Sequence, residues 1–387
     1  MTNSKHVPKR RFKEFESDGE WEFSRFGEVV VRVSESMMNS SFPNVEYEDV
    51  IPGKGQLNKN IHGKTNNKKG IRFLEGDVLY GKLRPYLKNW LLSDFKGIAV
   101  GDWWVLRSSE LDSKFLYNFI QTEKYQVVAN RSTGTKMPRS DWETVKDSDI
   151  LFPSNFEQKK LGDFFQTIDS LISLHQHKLD KLKNLKKAYL AELFPVEGEQ
   201  VPKRRFPGFE GEWEMTTLGE TVKVTMGQSP DGTTYSDAPG DYILVQGNSD
   251  IENGWVKPRI WTTQITKSAE EGDIIMSVRA PAGQVGRTEY NVVIGRGVAA
   301  IKGNEFIYQL LVKLDIDAYW KQVSSGSTFD SLNSDNIKNA EIKVPSFEEQ
   351  EKIGEFFHKL DNSITLQQQK LDKLNDLKKA YLNELFV

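Results

Sequence analysis

The sequence predicts an α+β protein in which two mixed α/β domains, related by pseudo-two-fold symmetry, are separated by two long antiparallel helices that form a coiled coil. Two observations support this prediction. Residues 154–194 return 192 positions later as residues 346–386, with about 25 of 41 aligned residues identical. The segments between these repeats alternate like strands but barely agree in sequence. Matched ends with divergent middles indicate one scaffold that carries two different binding domains.

The repeat divides the chain into four predicted segments. Residues 1–153 and 196–345 are the domains, and residues 154–195 and 346–387 are the spacer helices that follow them. A shorter repeat supports this division, because Val7-Pro8-Lys9-Arg10-Arg11-Phe12 returns as residues 201–206. Each copy is followed by Gly-Glu-Trp and then by Gly-Glu. A unit of about 190 residues is long enough to bury a core of its own.

Apolar residues in both spacer segments recur at alternating intervals of three and four, which is the heptad pattern of a coiled coil. An amphipathic helix packed on its own domain would give the same period. However, polar residues recur at matching positions (His175 and Gln367, Lys186 and Lys378), which favours a helix pair with a fixed register. Leu174, Leu185, Leu190, Leu366, Leu377 and Leu382 flank this seam, and we expect them to widen the buried stripe. The predicted seam consists of Phe165, Ile168, Ile172, His175, Leu179, Leu182, Tyr189, Leu193, Phe357, Leu360, Ile364, Gln367, Leu371, Leu374, Tyr381 and Leu385.

The short linker between the first helix and the second domain predicts the direction of the pair. A helix of about 37 residues is roughly 55 Å long. Residues 195–200 can span at most about 20 Å. Parallel helices would require the chain to return along most of a helix, so the antiparallel arrangement is favoured.

The divergent middles contain strand patterns broken by glycine and proline. Predicted strands lie within Ile71–Trp90, Gly97–Arg107, Asp241–Val245, Glu271–Arg279 and Asn291–Ile301. Glu-Gly-Asp opens a strand in each domain, at residues 75–77 and 271–273, and a cation and a proline follow. Ser132–Thr135 matches Ser324–Ser327 at the same offset of 192 residues. These correspondences predict one fold with two different surfaces.

The loops of these middles carry residue types suited to DNA. Lysine and arginine neutralise phosphates, and amide side chains pair with base edges in the major groove. Such loops can also be ordinary solvated surface, and this alternative stays open for any single residue. The candidates for DNA contact are Lys54, Lys59, Lys64, Lys68, Lys69, Lys82, Arg84, Arg131, Lys136 and Arg139 in the first domain, and Gln228, Ser229, Arg279, Gln284 and Arg287 in the second.

Composition argues against several other classes of protein. The chain has no cysteine and five histidines, so a metal site is not expected. We find no signal peptide, no apolar run long enough to span a membrane and no catalytic motif, and we expect a non-catalytic cytoplasmic protein. The net charge of −3 gives no overall field for DNA. Residues 1–150 carry 24 basic and 21 acidic residues, whereas residues 196–345 carry 15 and 21, so DNA binding requires local basic loops.

Taken together, these features resemble the specificity subunit of type I restriction–modification systems. The resemblance covers essentially the whole chain. It rests on the two-fold repeat, on the Phe-Glu-Gln and Glu-Glu-Gln entries at residues 156–158 and 348–350, and on the Leu-Lys-Lys-Ala-Tyr-Leu-x-Glu-Leu-Phe helix ends. The Glu-Gly-Asp strands and the Gly-Gln-Ser-Pro segment at residues 227–230 add to it.

The resemblance implies a DNA-specificity subunit whose two target recognition domains each recognise one half of a bipartite, non-palindromic target. It implies that the helices set the spacing and bind two modification (methyltransferase) subunits, which restriction (endonuclease/translocase) subunits join. S-adenosylmethionine, ATP and Mg are then expected on those partners, and no cofactor on this chain. The alternatives are a two-headed protein-binding scaffold without DNA recognition and an enzyme fused to its own recognition domain.

Overall fold

The computed structural model describes residues 6–38, 41–61, 63–64, 68–131, 136–324 and 331–387. The match between Ser132–Thr135 and Ser324–Ser327 lies almost wholly outside these residues. The chain forms two compact units. The first consists of residues 1–176 and 370–387, and the second of residues 177–369. Each unit therefore takes one part of each long helix.

The first unit is built on short strands. Their bounds are β1 (Glu22–Arg25), β2 (Val31–Val33), β3 (Ser36–Met37), β4 (Asn44–Val45), β5 (Val50–Ile51), β6 (Gln56–Leu57), β7 (Gly70–Phe73), β8 (Val78–Gly81), β9 (Trp90–Leu92), β10 (Gly97–Ala99), β11 (Trp103–Arg107) and β12 (Asp149–Phe152). They form two four-stranded sheets, ordered β3-β7-β10-β4 and β2-β11-β8-β9, and two pairs, β1-β12 and β5-β6. The predicted strands in residues 71–90 and 97–107 are confirmed.

Short helices share a hydrophobic core with the sheet β2-β11-β8-β9. They are α1 (Phe26–Val29), α2 (Ser113–Phe119), α3 (Glu123–Ala129) and α4 (Trp142–Lys146). Single 3-10 turns form at Lys13–Phe15, Tyr47–Asp49 and Pro85–Leu87. Asp112, Thr122 and Asp141 cap α2, α3 and α4 by accepting hydrogen bonds from backbone N–H groups of the first turn. The long helix α5 (Asn155–Leu193) follows β12.

The second unit repeats this plan with larger sheets. Its strands are β13 (Glu214–Thr217), β14 (Lys223–Met226), β15 (Tyr235–Ser236), β16 (Tyr242–Val245), β17 (Ile251–Glu252), β18 (Trp255–Val256), β19 (Ile260–Thr262), β20 (Ser268–Ala269), β21 (Ile274–Ser277), β22 (Val285–Arg287), β23 (Val292–Ile294), β24 (Val298–Lys302) and β25 (Glu341–Val344). A six-stranded sheet has the order β14-β24-β21-β22-β18-β17, a five-stranded sheet the order β15-β19-β16-β23-β20, and β13 pairs with β25.

The helices of the second unit are α6 (Leu218–Thr221), α7 (Glu305–Ile316), α8 (Tyr319–Val323), α9 (Ser334–Lys338) and the long α10 (Phe347–Glu384). Single 3-10 turns form at Gly232–Thr234 and Asn248–Asp250. The predicted strands of this domain are confirmed by β16, β21, β23 and β24. Among the helices of the described residues, none combines the length and the apolar character that a membrane crossing requires.

The repeated Gly-Glu pair makes the same local contacts in both units. A Cβ on Gly27 would stand 2.7 Å from the Lys146 Cβ, and one on Gly219 would stand 2.9 Å from the Lys338 Cβ. Glycine therefore lets α1 and α6 pack against α4 and α9. The following glutamate caps the same helix, because Glu28 accepts a hydrogen bond from its N-cap N–H at 3.0 Å and Glu220 does so at 3.1 Å.

Each unit contains an antiparallel pair of long-helix segments, as predicted. In the first unit Phe164, near the start of α5, packs against Tyr381, near the end of α10, with 5.2 Å between the centres of the two rings. In the second unit Phe356, near the start of α10, packs against Tyr189, near the end of α5, at 4.9 Å. The residues that follow both helices belong to the cores, since Phe386 contacts Trp21 and Phe115 whereas Phe194 contacts Trp213 and Phe306.

The repeated arginines before β1 and β13 fasten the start of each unit to the long helices. The guanidinium of Arg11 donates two hydrogen bonds to the buried Glu157 carboxylate, at 2.8 and 2.6 Å. Arg205 makes the same pair with the buried Glu349, at 2.8 and 2.7 Å. The repeat at residues 7–12 and 201–206 is therefore structural. Its role does not follow from the sequence alone, because both glutamates lie about 145 residues further along the chain.

Candidate nucleic-acid interface

The predicted seam residues are all buried or half-buried, and they line the antiparallel segments. The flanking leucines behave differently from the expectation. Leu190 and Leu382 are buried, but Leu174, Leu185, Leu366 and Leu377 are 39–58% exposed. The buried stripe is therefore narrower than predicted, and each long helix keeps an exposed apolar face.

Two seam lysines reach carboxylates on the facing helix. Lys378 Nζ lies 2.7 Å from Asp169 Oδ1 in the first unit, and Lys186 Nζ lies 2.7 Å from Asp361 Oδ1 in the second. The two pairs are related by the offset of 192 residues. Burial lowers the pKa of Lys186, against the opposing effect of Asp361. Pairs at matching positions are suited to fixing the register of the helices.

A hairpin loop at the same place in each unit carries the cation and proline that follow Glu-Gly-Asp. The aspartate closes the turn before the strand: Asp77 accepts a hydrogen bond from the Leu74 N–H at 2.7 Å, and Asp273 accepts one from the Glu270 N–H at 2.9 Å. The strands β8 and β21 then lead into the loops, residues 82–89 and 278–284, and β9 and β22 lead out of them.

Both loops are held by a short β-bridge to a segment that precedes α4 or α9. Leu83 bridges Arg139 in the first unit, and Arg279 bridges Ser331 in the second. The Arg84 N–H donates to the Pro138 carbonyl at 2.7 Å, and the Leu332 N–H donates to the Val278 carbonyl at 2.9 Å. In the first unit this arrangement brings two predicted cations together, because Lys82 and Arg139 lie 3.6 and 3.3 Å from Asp102.

The other predicted cations of the first unit are dispersed. Arg131 and Lys136 are exposed after α3, and Lys69 is exposed before β7. Lys54 donates a hydrogen bond from Nζ to the Gln176 Oε1 at 3.1 Å.

Three lysines of the loop between β6 and β7 pair with carboxylates of the same unit. Lys59 and Lys64 lie 2.9 and 2.7 Å from the fully buried Asp49, and Lys68 lies 2.6 Å from Glu46. Hydrogen bonds from Lys68 and Lys64 lower the pKa of Glu46. Burial by itself would raise the pKa of Asp49, but hydrogen bonds from Lys64, the Glu46 N–H and Lys59 lower it below its usual value. The loop is thus organised by ion pairs that sequence patterning does not reveal.

In the second unit the predicted residues lie at two places. Gln284 and Arg279 are exposed in the hairpin loop. Gln228 and Ser229 lie on a turn beside residues 295–297. Here the Ser229 Oγ accepts a hydrogen bond from the Arg296 N–H at 3.1 Å. Arg296 is not among the candidates for DNA contact predicted from the sequence. Its position between Gly295 and Gly297, just before the apolar strand β24, is the signal that could have found it. A Cβ on Gly297 would stand 2.0 Å from the Gln246 carbonyl, so this turn needs glycine.

Arg287 takes a structural position instead of a surface one. Its side chain is 12% exposed and its guanidinium pairs with Glu305 and, at 3.5 Å, with Asp361. The guanidinium also lies 3.4 Å from the centre of the Tyr308 ring. These contacts engage the guanidinium inside the unit, which differs from the surface position expected for a DNA-contacting Arg287.

The described residues contain no group of three or more acidic or histidine side chains that could hold a metal ion. The candidate interface is a set of basic and amide side chains on two hairpin loops and their neighbours. Such a set can bind polyanions and contact base edges.

Comparisons with known proteins agree with this architecture. The family described as "Type I restriction modification DNA specificity domain" matches residues 18–184 and 210–376. The putative type I restriction enzyme MjaX specificity subunit of Methanocaldococcus jannaschii is 26% identical over 283 residues, which cover 70% of this chain. The match spans 65% of that relative's own length.

Two solved structures are also similar. One, described as the structural basis of complex assembly and conformational transition of the type I R-M system, has 25% identity and a TM-score of 0.57. It covers 95% of this chain, which in turn covers 97% of that one. The type I restriction-modification system S subunit from M. genitalium has 17% identity and a TM-score of 0.66, with 98% and 99% covered, and shares the fold.

Proposed function

The chain belongs to the type I restriction modification DNA specificity family, and we propose that it is the DNA-specificity subunit of a restriction–modification complex. Each variable domain recognises one half of a bipartite, non-palindromic target. The chain has no catalytic activity of its own in this proposal. Methyl transfer belongs to modification subunits, and translocation and cleavage belong to restriction subunits, with S-adenosylmethionine, ATP and Mg on those partners.

One observation carries the proposal. The framework of the two units repeats at a fixed offset, whereas the hairpin loops held on it differ: residues 82–88 are Lys-Leu-Arg-Pro-Tyr-Leu-Lys and residues 278–284 are Val-Arg-Ala-Pro-Ala-Gly-Gln. A constant scaffold with two different basic loops suits recognition of two different half-sites. DNA-binding elements on one face of a duplex are spaced by multiples of a helical turn, so a rigid spacer between them is required.

The long helices suit partner binding as well as spacing. Exposed leucines on α5 and α10, at Leu174 and Leu366 for example, recur at the offset of 192 residues. Two equivalent apolar faces fit two copies of one partner, which is the stoichiometry proposed for the modification subunits.

Methylome sequencing of a host with and without the gene tests the proposal. We expect one bipartite adenine-methylation motif to disappear when the gene is removed from an otherwise intact system. If every such motif persists, the proposal is wrong. If the chain were instead a protein-binding scaffold, the assembled complex would bind duplex DNA of any sequence with the same affinity. That affinity would depend on salt only as nonspecific binding does.

A further inference from the structure

The hairpin loop of the first unit contains a strained turn, Arg84–Lys88. Arg84 has φ 51° and ψ 61°, and Lys88 has φ 57° and ψ 44°. Both lie in the left-handed region, which is unfavourable for a residue other than glycine. Among the described residues only four non-glycine residues have positive φ, and the other two are Asn253 and Ala318. Half of the set thus lies in one turn of five residues.

Hydrogen bonds hold the strained turn at both ends. The Arg84 N–H donates to the Pro138 carbonyl at 2.7 Å, and the Gly53 N–H donates to the Lys88 carbonyl at 2.8 Å. Inside the turn the Lys88 N–H donates to the Pro85 carbonyl at 2.9 Å. Pro85 is buried and its ring fixes φ. The backbone of the turn is therefore held in one conformation, which lowers the entropy lost on binding.

The side chains that the turn presents are apolar in the centre and cationic at the ends. Tyr86 is 55% exposed and Leu87 is 41% exposed. Arg84 and Lys88 are exposed on either side. Within the described part of the chain, neither cation has a carboxylate within 4 Å. This contrasts with Lys82 and Arg139, which share Asp102.

We propose that the strained turn enters a groove of the duplex at the first half-site, where Tyr86 and Leu87 contact bases and Arg84 and Lys88 contact the flanking phosphates. The inference rests on the proposed function and names the element that performs it. Glycine at positions 84 and 88 would remove the strain, but it would also remove both charges. The chain keeps the cations at the strained positions, which is understandable if they serve a ligand. Apolar side chains contact thymine methyl groups or wedge between base steps.

The hairpin loop of the second unit lacks the side chains that would make this contact. Its hairpin loop at residues 278–284 has one cation, Arg279, and no aromatic residue. The apolar base contact therefore belongs to one half of the target.

The test uses the complete complex, formed by the full chain and its modification subunits, on a duplex that contains the methylated motif. Tyr86→Ala should weaken binding about tenfold, because the turn then loses the aromatic side chain that contacts the bases. The same variant should relax the first half of the methylation motif and leave the second half unchanged. Tyr86→Phe keeps the ring and should behave like the unchanged protein.

Substitution of the cations separates function from stability. Arg84→Gly and Lys88→Gly should leave the melting temperature unchanged or raise it, because strain is relieved. Each should weaken DNA binding several-fold and make it less sensitive to salt, with a slope smaller by about one. Ala318→Gly is the matched control, since it relieves a positive φ of 58° without removing a charge. It should leave DNA binding unchanged.

Three outcomes would overturn the inference. One is wild-type affinity and an unchanged motif in Tyr86→Ala. Another is a melting temperature that falls in Arg84→Gly and Lys88→Gly, so that unfolding accounts for the weaker binding. The third is weaker assembly with the modification subunits at unchanged DNA affinity, which would assign the turn to protein docking. If one of these outcomes is found but the methylation motif still disappears when the gene is removed, the inference is wrong and the proposed function stands. If the motif persists without the gene, the proposed function itself is wrong.

Discussion

At the scale of single residues, the repeated arginines show how the same side chain can have very different importance in neighbouring positions. Arg11 and Glu157 form a pair whose side chains are 7% and 2% exposed. Arg10 and Glu384 form a pair in the same unit whose side chains are 55% and 36% exposed. Solvent screens the second pair and barely reaches the first, so the two pairs should differ in their contribution to stability.

Glu157→Gln should lower the free energy of unfolding of the first unit by about 3 kcal/mol, because it leaves the Arg11 guanidinium buried without a carboxylate. Glu384→Gln is the matched control and should cost less than about 1 kcal/mol. Urea unfolding of the full chain, followed by Trp fluorescence, measures both. Equal losses for the two variants would contradict this account.

The buried Asp49 predicts an acid-sensitive first unit. Its pKa and that of Glu46 are lowered in the folded state, so their stabilisation is present above about pH 4, the ordinary range of carboxyl groups. It is lost as the pH falls through the lowered folded values, since the folded state then takes up protons less readily than the unfolded chain. Asp49→Asn should cost about 2 kcal/mol at pH 7, because Lys59 and Lys64 lose a buried partner.

The measurement is urea unfolding of the unchanged protein and of Asp49→Asn between pH 7 and pH 3. The gap in stability between the two proteins should narrow below about pH 4. A gap of constant size across this range would show that the carboxylate's charge is not what holds the loop.

Residue roles were the part of the molecule that the sequence predicted least well. Lys64 and Arg287 stand in polar, glycine-rich segments and look like free surface cations. Their partners, Asp49 for Lys64 and Glu305 and Asp361 for Arg287, come from elements that only the tertiary fold brings near. Pattern and composition locate a cation on a loop but do not determine which carboxylate it faces.

At the scale of elements, the two helix pairs are alike in sequence but differ in their support. Asp361 accepts a hydrogen bond from the Gln309 Nε2 at 2.8 Å and lies 3.5 Å from Arg287, in addition to its pair with Lys186. Among the described residues, Asp169 has Lys378 as its one cation within 4 Å. Asp169 and Asp361 occupy equivalent positions of the repeat, but they therefore differ in the number of side chains that compensate their charge.

Lys378→Met should accordingly destabilise its unit more than Lys186→Met destabilises the other, by about 1 kcal/mol. Lysine and methionine have similar length, so packing changes little. Thermal unfolding followed by calorimetry can separate the two units. A larger loss for Lys186→Met would contradict the assignment of Gln309 and Arg287 as alternative partners of Asp361.

Elements themselves were predicted well where the period was long. The heptads of α5 and α10 extend over several turns, so their existence, direction and seam follow from the sequence. The exposed Leu174 and Leu366 show the limit of that reasoning, because a leucine beside a seam can equally serve a partner. The short helices α2 and α7 were not predicted individually, since seven and twelve residues within a strand-rich region carry too little periodic signal.

At the scale of the whole molecule, the two compact units predict independent recognition. The cores of the second unit draw on residues 190–360 and the first unit contributes none of them. Exchange of residues 207–345 for those of another family member should change one half of the methylation motif and leave the other half intact. Methylome sequencing of the chimaera measures this, and a change in both halves would refute independent domains. The exchanged segment contains aromatic residues that contact Phe194. A chimaera that keeps these aromatic residues is the matched control for correct folding.

The contact of Phe386 with Trp21 has a consequence for the order of events during synthesis. The first unit needs residues 370–387 for its core, whereas the second unit is complete at residue 369. The part of the chain that leaves the ribosome first therefore finishes folding last. At about 5–20 residues per second, residues 6–176 wait roughly 10–40 s for their closing segment. During that interval an apolar surface around Trp21 and Phe165 stays uncovered in the nascent chain, and a truncated product would keep that surface permanently open.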